Sequence, residues 1–379
     1  MSVCVIGQGY VNLPFDNLAE AFEVCEERQP DTIRVSAIVP AHNEASSIAA
    51  TIVSLLNQSR VPDHITVICD NCTDDTAEIA ESFGVHVMHS VDNTGRKAGA
   101  LNQALAVILP ALRDEDLVLC MDADTEVHPD LIKNATRHFM ETEHLGAVSS
   151  NHLIHQHKTL MELLQAMEYE RDRRFIGRRK GKFGCMTGMA ALYRVEALRD
   201  VMNSYGAGVV YDPSNWTEDW KLTIALKALK WNMVRPQDCL ATTVPVSTIK
   251  GLYTQRERWA RGYLQTLCQF GFKRFTVVPW IKQLGLVWSL VCRIMLIVLM
   301  VPMVEHRQLF SWWMVPVAAI LMADSINTVR KAGWKAILVA VLFPIEVFYT
   351  WLITAAICAG YFKHLSGAGS NDTWKRVRR

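Results

Sequence analysis

From residue 33 onward, short apolar runs alternate with amphipathic stretches along the chain. "IRVSAIVP" is followed by "EASSIAATIVSLLNQS", and then come "HITVICD", "DDTAEIAESFG", "VHVMHS", "RKAGALNQALAVILPAL" and "DLVLCMDADTEV". Apolar runs of about four to eight residues predict strands buried on both faces, and the helical period between them predicts covering helices. Together they predict an α/β domain with a mostly parallel sheet. Ligands of such sheets bind beyond the carboxyl ends of the strands. Here those ends carry residues 40–44, Asp70 and residues 122–124, so the expected site is polar and acidic.

The pattern changes after residue 283. "LGLVWSLVCRIMLIVLMVPMV" (284–304) is long enough as a helix, at ~31 Å, to cross a hydrocarbon core of ~30 Å. "AILVAVLFPIEVFYTWLITAAICAG" (336–360) is longer, with Pro344 and Glu346 inside it, and "LFSWWMVPVAAILMA" (309–323) is a shorter third segment. Lys273, Arg274 and Lys282 precede the first segment, and Arg330, Lys331 and Lys335 fill the second connector. Both groups favour the cytoplasmic side. Three crossings would put the basic tail "WKRVRR" on the far side, so two spans and three both stay open. The first residues show no basic-then-apolar signal sequence, which fits an integral membrane protein whose large domain faces the cytoplasm. The expected division is a leader strand and helix (1–32), a catalytic domain (33–250), interfacial helices (251–283), the membrane region (284–365) and a basic tail (366–379).

Composition changes this picture little. A formal net charge of +1 over 379 residues gives no general pull on polyanions. The ten cysteines are scattered, some inside apolar strands, which suits a reducing compartment and packing roles, "CDNC" (69–72) included. "RDRRFIGRRKGK" (171–182) is strongly basic but has no aromatic binding surface around it. Anionic headgroups or an anionic acceptor are its expected contacts, and nucleic acid is not. "HLIHQHK" (152–158) lacks zinc spacing and reads as a polar strand or loop.

Two stretches look like strand-to-turn nucleotide sites. "GQGYVN" (7–12) fits the first two glycines of a dinucleotide fingerprint, but Asn12 replaces the third and no acid follows at ribose distance. The second stretch, "IVPAHNE" (38–44), is followed in order by Asp70, "MDAD" (121–124), "TED" (217–219) and "QRERW" (255–259). In this order, with apolar spans after it, the sequence resembles the processive, membrane-bound family 2 glycosyltransferases: cellulose, hyaluronan, chitin-oligosaccharide and poly-N-acetylglucosamine synthases. The resemblance runs over about residues 33–365.

The resemblance implies a GT-A-type, Rossmann-like catalytic domain followed by C-terminal transmembrane helices. It implies a UDP-sugar donor, with Pro40, Ala41 and Glu44 cradling base and ribose, Asp70 accepting from the uracil ring, and Lys97 near the nucleotide. Asp122 lies near the uridine and phosphates, and Asp124 is the surer ligand for Mg²⁺ or Mn²⁺. Paired hard oxygens at a strand end suit such an ion, although Asp-Ala-Asp is also good turn chemistry. Asp219, next to Glu218, is the expected general base, for an attacking hydroxyl must lose its proton in the transition state. The same residues suit a helix start capped by Thr217. Gln255 and Arg258 are expected at the diphosphate and Trp259 under an acceptor sugar. Thr187 and Gly188, in "FGCMTGMAALYR", match the family's acceptor loop. "DNCTDD" (70–75) departs from the family's frequent "DDGSTD", which touches the details of the uridine contacts. Spans preceding the catalytic domain, frequent in related synthases, are not expected here. The acceptor is therefore a growing carbohydrate or, for a single-sugar transferase, a lipid or protein, with a homo-oligomer as one source of further membrane. A catalytically dead scaffold is the reading that the intact carboxylates oppose.

Overall fold

The computed structural model describes residues 2–6, 9–13, 32–154, 157–181, 184–205, 208–305 and 314–367. Two compact units divide the chain: Met1–His155 with Phe175–Val244, and Gln156–Arg174 with Pro245–Arg379. At the start, β1 (Ser2–Ile6) pairs antiparallel with β2 (Gly9–Leu13) as a separate two-stranded sheet. "GQGYVN" therefore joins strand to strand. The helix N-terminus that cradles phosphate in a dinucleotide site does not follow the glycines. The expected leader helix falls in residues 14–31, outside the described residues.

The remaining strands of the first unit are β3 (Val35–Ala41), β4 (His64–Cys69), β5 (His86–His89), β6 (Leu117–Met121), β7 (Thr125–Val127), β8 (Leu145–Ser149), β9 (Asn151–Leu153), β10 (Ala190–Arg194), β11 (Asn232–Val234) and β12 (Leu240–Thr243). Seven of them form a sheet in the order β11-β8-β10-β6-β3-β4-β5, and β7, β12 and β9 form a smaller one. β3, β4 and β6 are buried almost throughout, as their mostly apolar runs require. The helices of the first unit are α1 (Ile48–Leu56), α2 (Thr76–Ser82), α3 (Arg96–Ile108), α4 (Leu131–Glu141), α6 (Val195–Ser204) and α7 (Glu218–Ala228), while α5 (Leu160–Arg178) lies mostly in the second unit. Ile48, Ile52 and Leu55 of α1 bury fully against Val35, Val39 and Leu119 in one core.

β10 is the exception to the parallel pattern, for it runs antiparallel to both β6 and β8. Its first residue, Ala190, pairs with Met121, the last of β6. That reversal delivers residues 184–189 to the rim where the parallel strands end.

In the second unit the chain forms α8 (Ile249–Phe270), α9 (Val277–Glu305), α10 (Met314–Val329), α11 (Trp334–Val341) and α12 (Phe343–Leu365). The long segment 336–360 is thus two helices rather than one. Pro344, which lacks an amide hydrogen, sits in the first turn of α12, where none is needed. Two stretches, Val277–Met295 and Pro344–Leu365, are long and apolar enough to cross a membrane. Leu284, Trp288 and Val298 are more than 60% exposed, a dry surface that lipid would cover. Glu346, the acid within the second span, pairs with Arg171 of α5 at 2.7 Å and lies 3.4 Å from the Ser325 hydroxyl.

Candidate functional site

Because β3, β4 and β6 are neighbours and parallel, the segments leaving them open at one edge of the sheet. Asp70 follows β4, Asp122 and Asp124 follow β6, and residues 42–44 follow β3. The antiparallel β10 adds the Thr187–Gly188 turn to the same edge, where the Asp122 amide donates to the Met189 carbonyl at 2.9 Å.

Lys97, on the first turn of α3, joins the pieces. Its Nζ donates to Asp122 Oδ1 at 2.6 Å and to the Gly188 carbonyl at 3.0 Å, and lies 3.9 Å from Glu218. Burial works against the ammonium, but Asp122 and Glu218 outweigh it and hold its pKa above the usual lysine value. The amide of Gly188 donates to Asp219 Oδ2 at 3.0 Å, and the amide of Trp220 donates to Asp219 Oδ1 at 2.7 Å. Burial, reinforced by the charge of Glu218, pushes the Asp219 carboxyl up to about 6, against the opposing pull of Lys97 and those two amides. Five of the expected residues, Lys97, Asp122, Gly188, Glu218 and Asp219, therefore form one hydrogen-bonded and ionic network.

The expected cap on α7 is corrected. The Thr217 hydroxyl donates to Asn215 Oδ1 at 3.3 Å and makes no capping bond, whereas Asp219 takes a first-turn amide. Thr223, one turn on, accepts the Met186 amide at 2.9 Å, and Lys227 donates to the Gly184 carbonyl at 2.8 Å. The loop before β10 is thus laid along α7, which is why Gly188 reaches Asp219. A Cβ at Gly188 would lie 2.9 Å from Lys97 Nζ, so any larger residue would displace that ammonium. Thr187 uses its hydroxyl on Ser149 Oγ at 3.1 Å.

Asp122 and Asp124 stand on a tight turn in which the Thr125 amide donates to the Asp122 carbonyl at 3.3 Å. Turn and metal readings are compatible, since the turn carries two half-buried carboxylates. Hard oxygens of this kind fit Mg²⁺ or Mn²⁺. Pro40 is the last but one β3 residue paired with β4, and its missing amide hydrogen costs nothing on the β6 side, because β6 pairs only as far as Ile38. Glu44 anchors the loop: its amide donates to Thr76 Oγ1 at 2.8 Å, and its carboxylate accepts from Ser47 at 2.8 Å.

Asp70 is held more tightly than the sequence suggests. Its amide donates to the Ala41 carbonyl at 2.7 Å. Oδ1 accepts from Asn71 Nδ2 at 3.0 Å, Ser90 Oγ at 2.8 Å and Asn93 Nδ2 at 2.7 Å. Ser90 and Asn93 escaped sequence reasoning. The polar turn "SVDNTG" just before α3 was their only signal.

Gln255, Arg258 and Trp259 lie on α8 in the second unit. Arg256 bonds Glu168 at 2.9 Å, and Tyr349 donates to the same Glu168 oxygen at 2.5 Å. The Arg256 guanidinium also lies 4.3 Å from the centre of the Trp259 ring, so one ring face is already covered. Gln255 is buried, whereas Arg258 and Trp259 are half-buried.

The model of the family described as "Glycosyltransferase like family 2" matches residues 30–262. The poly-β-1,6-N-acetyl-D-glucosamine synthase of Staphylococcus epidermidis is 30% identical over 239 residues, covering 60% of this chain and 54% of that protein. The Staphylococcus aureus protein of the same name is 29% identical over the same length. The chain thus spans about half the length of these relatives. A mannosyltransferase from Pyrobaculum calidifontis, solved with GDP-Man and Mn²⁺, matches with a TM-score of 0.56 at 19% identity, over 92% of this chain and 94% of its own. At that identity the likeness is one of fold, the GT-A-type α/β arrangement that the family resemblance implied. Since the matched stretch begins before β3, takes in the whole acidic rim and runs on past Trp259, the chain belongs to glycosyltransferase-like family 2.

Proposed function

We propose that the chain is an inverting glycosyltransferase that moves a sugar from a UDP-sugar to an acceptor hydroxyl and extends a carbohydrate chain at a membrane. The meeting of Lys97, Asp122, Gly188 and Asp219 at one edge of the sheet carries this reading. Sugar transfer makes three demands: the nucleotide must be held, the departing diphosphate neutralised and the attacking hydroxyl deprotonated.

Asp219 meets the last demand. With its carboxyl at about 6, it is ionised at neutral pH and still a better proton acceptor than an ordinary aspartate. A base acting directly on the hydroxyl leads to a single displacement with inversion, through a transition state of oxocarbenium character. Glu218 keeps the basicity of Asp219 high, and the Gly188 amide fixes the direction of its lone pair. Lys97, held cationic, offers positive charge to phosphate oxygens. Asp124, with Asp122, would hold Mg²⁺ or Mn²⁺, which supplies Lewis-acid stabilisation of the leaving diphosphate. Asp70 and the residues 40–44 loop serve the nucleoside. Gln255 and Arg258 serve the diphosphate by their motif, and Trp259 serves an acceptor sugar. Thr187 and Gly188 line the acceptor side.

The names of the staphylococcal relatives support chain growth and make UDP-N-acetylglucosamine the first donor to test. The two apolar helices support a bilayer setting, and the basic residues flanking them support a catalytic unit on the cytoplasmic side. Membranes containing the protein, given labelled UDP-N-acetylglucosamine or UDP-glucose with Mn²⁺, are expected to release UDP and yield a ladder of products. EDTA should stop both. A single discrete product would replace chain growth by single transfer, and no UDP release from any UDP-sugar would overturn the reading.

A further inference from the structure

The Asp70 carboxylate is unusual in how its acceptor capacity is distributed. A carboxylate oxygen has about two lone-pair sites. Oδ1 faces three donors, on Asn71, Ser90 and Asn93, at 3.0, 2.8 and 2.7 Å. Among the described residues, no hydrogen bond to Oδ2 is found.

The three donors are themselves fixed. Asn93 Oδ1 accepts the Gly95 amide at 2.9 Å, which sets the orientation of the side-chain amide and turns Nδ2 toward Asp70 and the Arg96 carbonyl. Gly99 leaves the room for it, since a Cβ there would lie 2.0 Å from Asn93 Oδ1. The Ser90 amide donates to the Cys69 carbonyl at 3.0 Å, tying that hydroxyl to the end of β4. Asn71 has a positive φ of 50°, a conformation that Asn and Gly adopt readily.

Such a carboxylate has one oxygen to offer a ligand. Uracil presents one N–H between two carbonyl oxygens, and so matches a single acceptor flanked by amide donors. Guanine presents two adjacent donors, its ring N–H and its exocyclic amino group, and needs both carboxylate oxygens. Against Asp70 its amino group would meet a filled Oδ1 and the N–H groups around it. A donor left unpaired in a partly buried site lowers affinity by roughly tenfold or more. The GT-A fold alone does not choose the base, given the GDP-Man bound to the mannosyltransferase of this fold.

We propose that Asn71, Ser90 and Asn93, by saturating one oxygen of Asp70, select a uracil donor and reject a guanine one. The inference rests on the nucleotide-sugar reading above and makes it more specific. It also predicts a non-additive response. With three donors on about two lone-pair sites, removing one leaves Oδ1 filled, whereas removing two opens a site for the second guanine donor.

The test is equilibrium binding of UDP and GDP, with Mn²⁺ present, to the full chain in detergent. The variants are Ser90→Ala, Asn71→Gly and the double variant; Asn71→Gly keeps the positive φ available. Wild type is expected to prefer UDP by at least about tenfold. Each single variant should keep most of that preference, and the double variant should lose the greater part of it while retaining UDP binding. Equal UDP and GDP affinity in wild type, or an unchanged preference in a folded double variant, would overturn the inference and leave the transferase reading standing. Failure of wild type to bind either nucleotide would overturn both.

Discussion

The Gly188 amide donates to Asp219 Oδ2 at 3.0 Å, and the carbonyl of the same residue accepts from Lys97 at 3.0 Å. One residue therefore couples the expected base to the cation that neutralises Asp122. The neighbour that a Cβ at Gly188 would strike is the mobile end of Lys97, so the chain can fold around an alanine by moving the ammonium. Gly188→Ala is accordingly expected to leave the thermal unfolding midpoint nearly unchanged and to lower turnover by about a hundredfold, the usual cost of misplacing a catalytic group by an ångström. A large loss of stability with normal turnover per folded molecule would contradict this coupling.

Asp219 should reveal itself through pH. Its carboxyl sits at about 6, above the usual aspartate value of 3.8. As a base it works only when ionised, so kcat/KM is expected to rise with pH through about 6 and level off above. Asp219→Asn should lower turnover by about 10²–10⁴ while retaining nucleotide binding. Stability has a matching sign. A folded-state pKa above the unfolded one favours the folded protein fully below the unfolded value, and that contribution disappears as pH rises through about 6. The Asn variant, which never ionises, should match wild type near pH 4 and exceed it in unfolding midpoint at pH 7. A midpoint difference constant across that range would mean that Asp219 does not titrate in this window.

How far this site could be read in advance depended on what each residue leans on. The positions of Asp70 and Asp122 were legible because each follows a mostly apolar run, and a buried parallel strand leaves little choice about where its end points. Gly188 was legible only by resemblance to a motif. What brings it to Asp219 is the antiparallel insertion of β10, and a five-residue apolar strand carries no mark of its direction. Ser90 and Asn93 were hidden because their role is to fill one oxygen of a residue about twenty positions away. The apolar segment 336–360 gave its hydrophobicity correctly and its continuity wrongly. Pro344 was visible, but whether a proline kinks a helix or starts one depends on what supports the chain before it.

The ion pair between Arg171 and Glu346 is expected to behave as a buried pair. Glu346 is the less exposed partner, at 16%, and stands at the start of an apolar helix. Arg171→Ala leaves that carboxylate with hydroxyl contacts only, for a loss of about 3 kcal/mol, the low end for a buried pair because Arg171 is 35% exposed. Replacing both residues by apolar ones of similar size should cost clearly less than the single change. A double-mutant cycle on thermal unfolding in detergent reads the difference, and simple additivity would show that the two charges do not interact.

Among the described glycines of the second unit, the closest approach is at Gly360 of α12. A Cβ there would lie 2.5 Å from the Glu257 carbonyl, 3.0 Å from Ala260 Cβ and 3.1 Å from the Arg261 amide. Two of those neighbours are helix backbone and cannot swing away, so Gly360→Ala must push α8 and α12 apart. It should strain the Glu257–Lys363 pair, now at 2.7 Å, and cost about 1–3 kcal/mol. Gly285 of α9 provides the control, since a Cβ there meets nothing within 4 Å, and alanine is the better helix former. Gly285→Ala is expected to be neutral or slightly stabilising. Because α8 also carries Gln255, Arg258 and Trp259, Gly360→Ala should lower turnover as well as stability, although residue 360 belongs to an apolar span. Equal unfolding midpoints for the two variants would show that the close approach of α8 and α12 at Gly360 does not limit the stability of this unit.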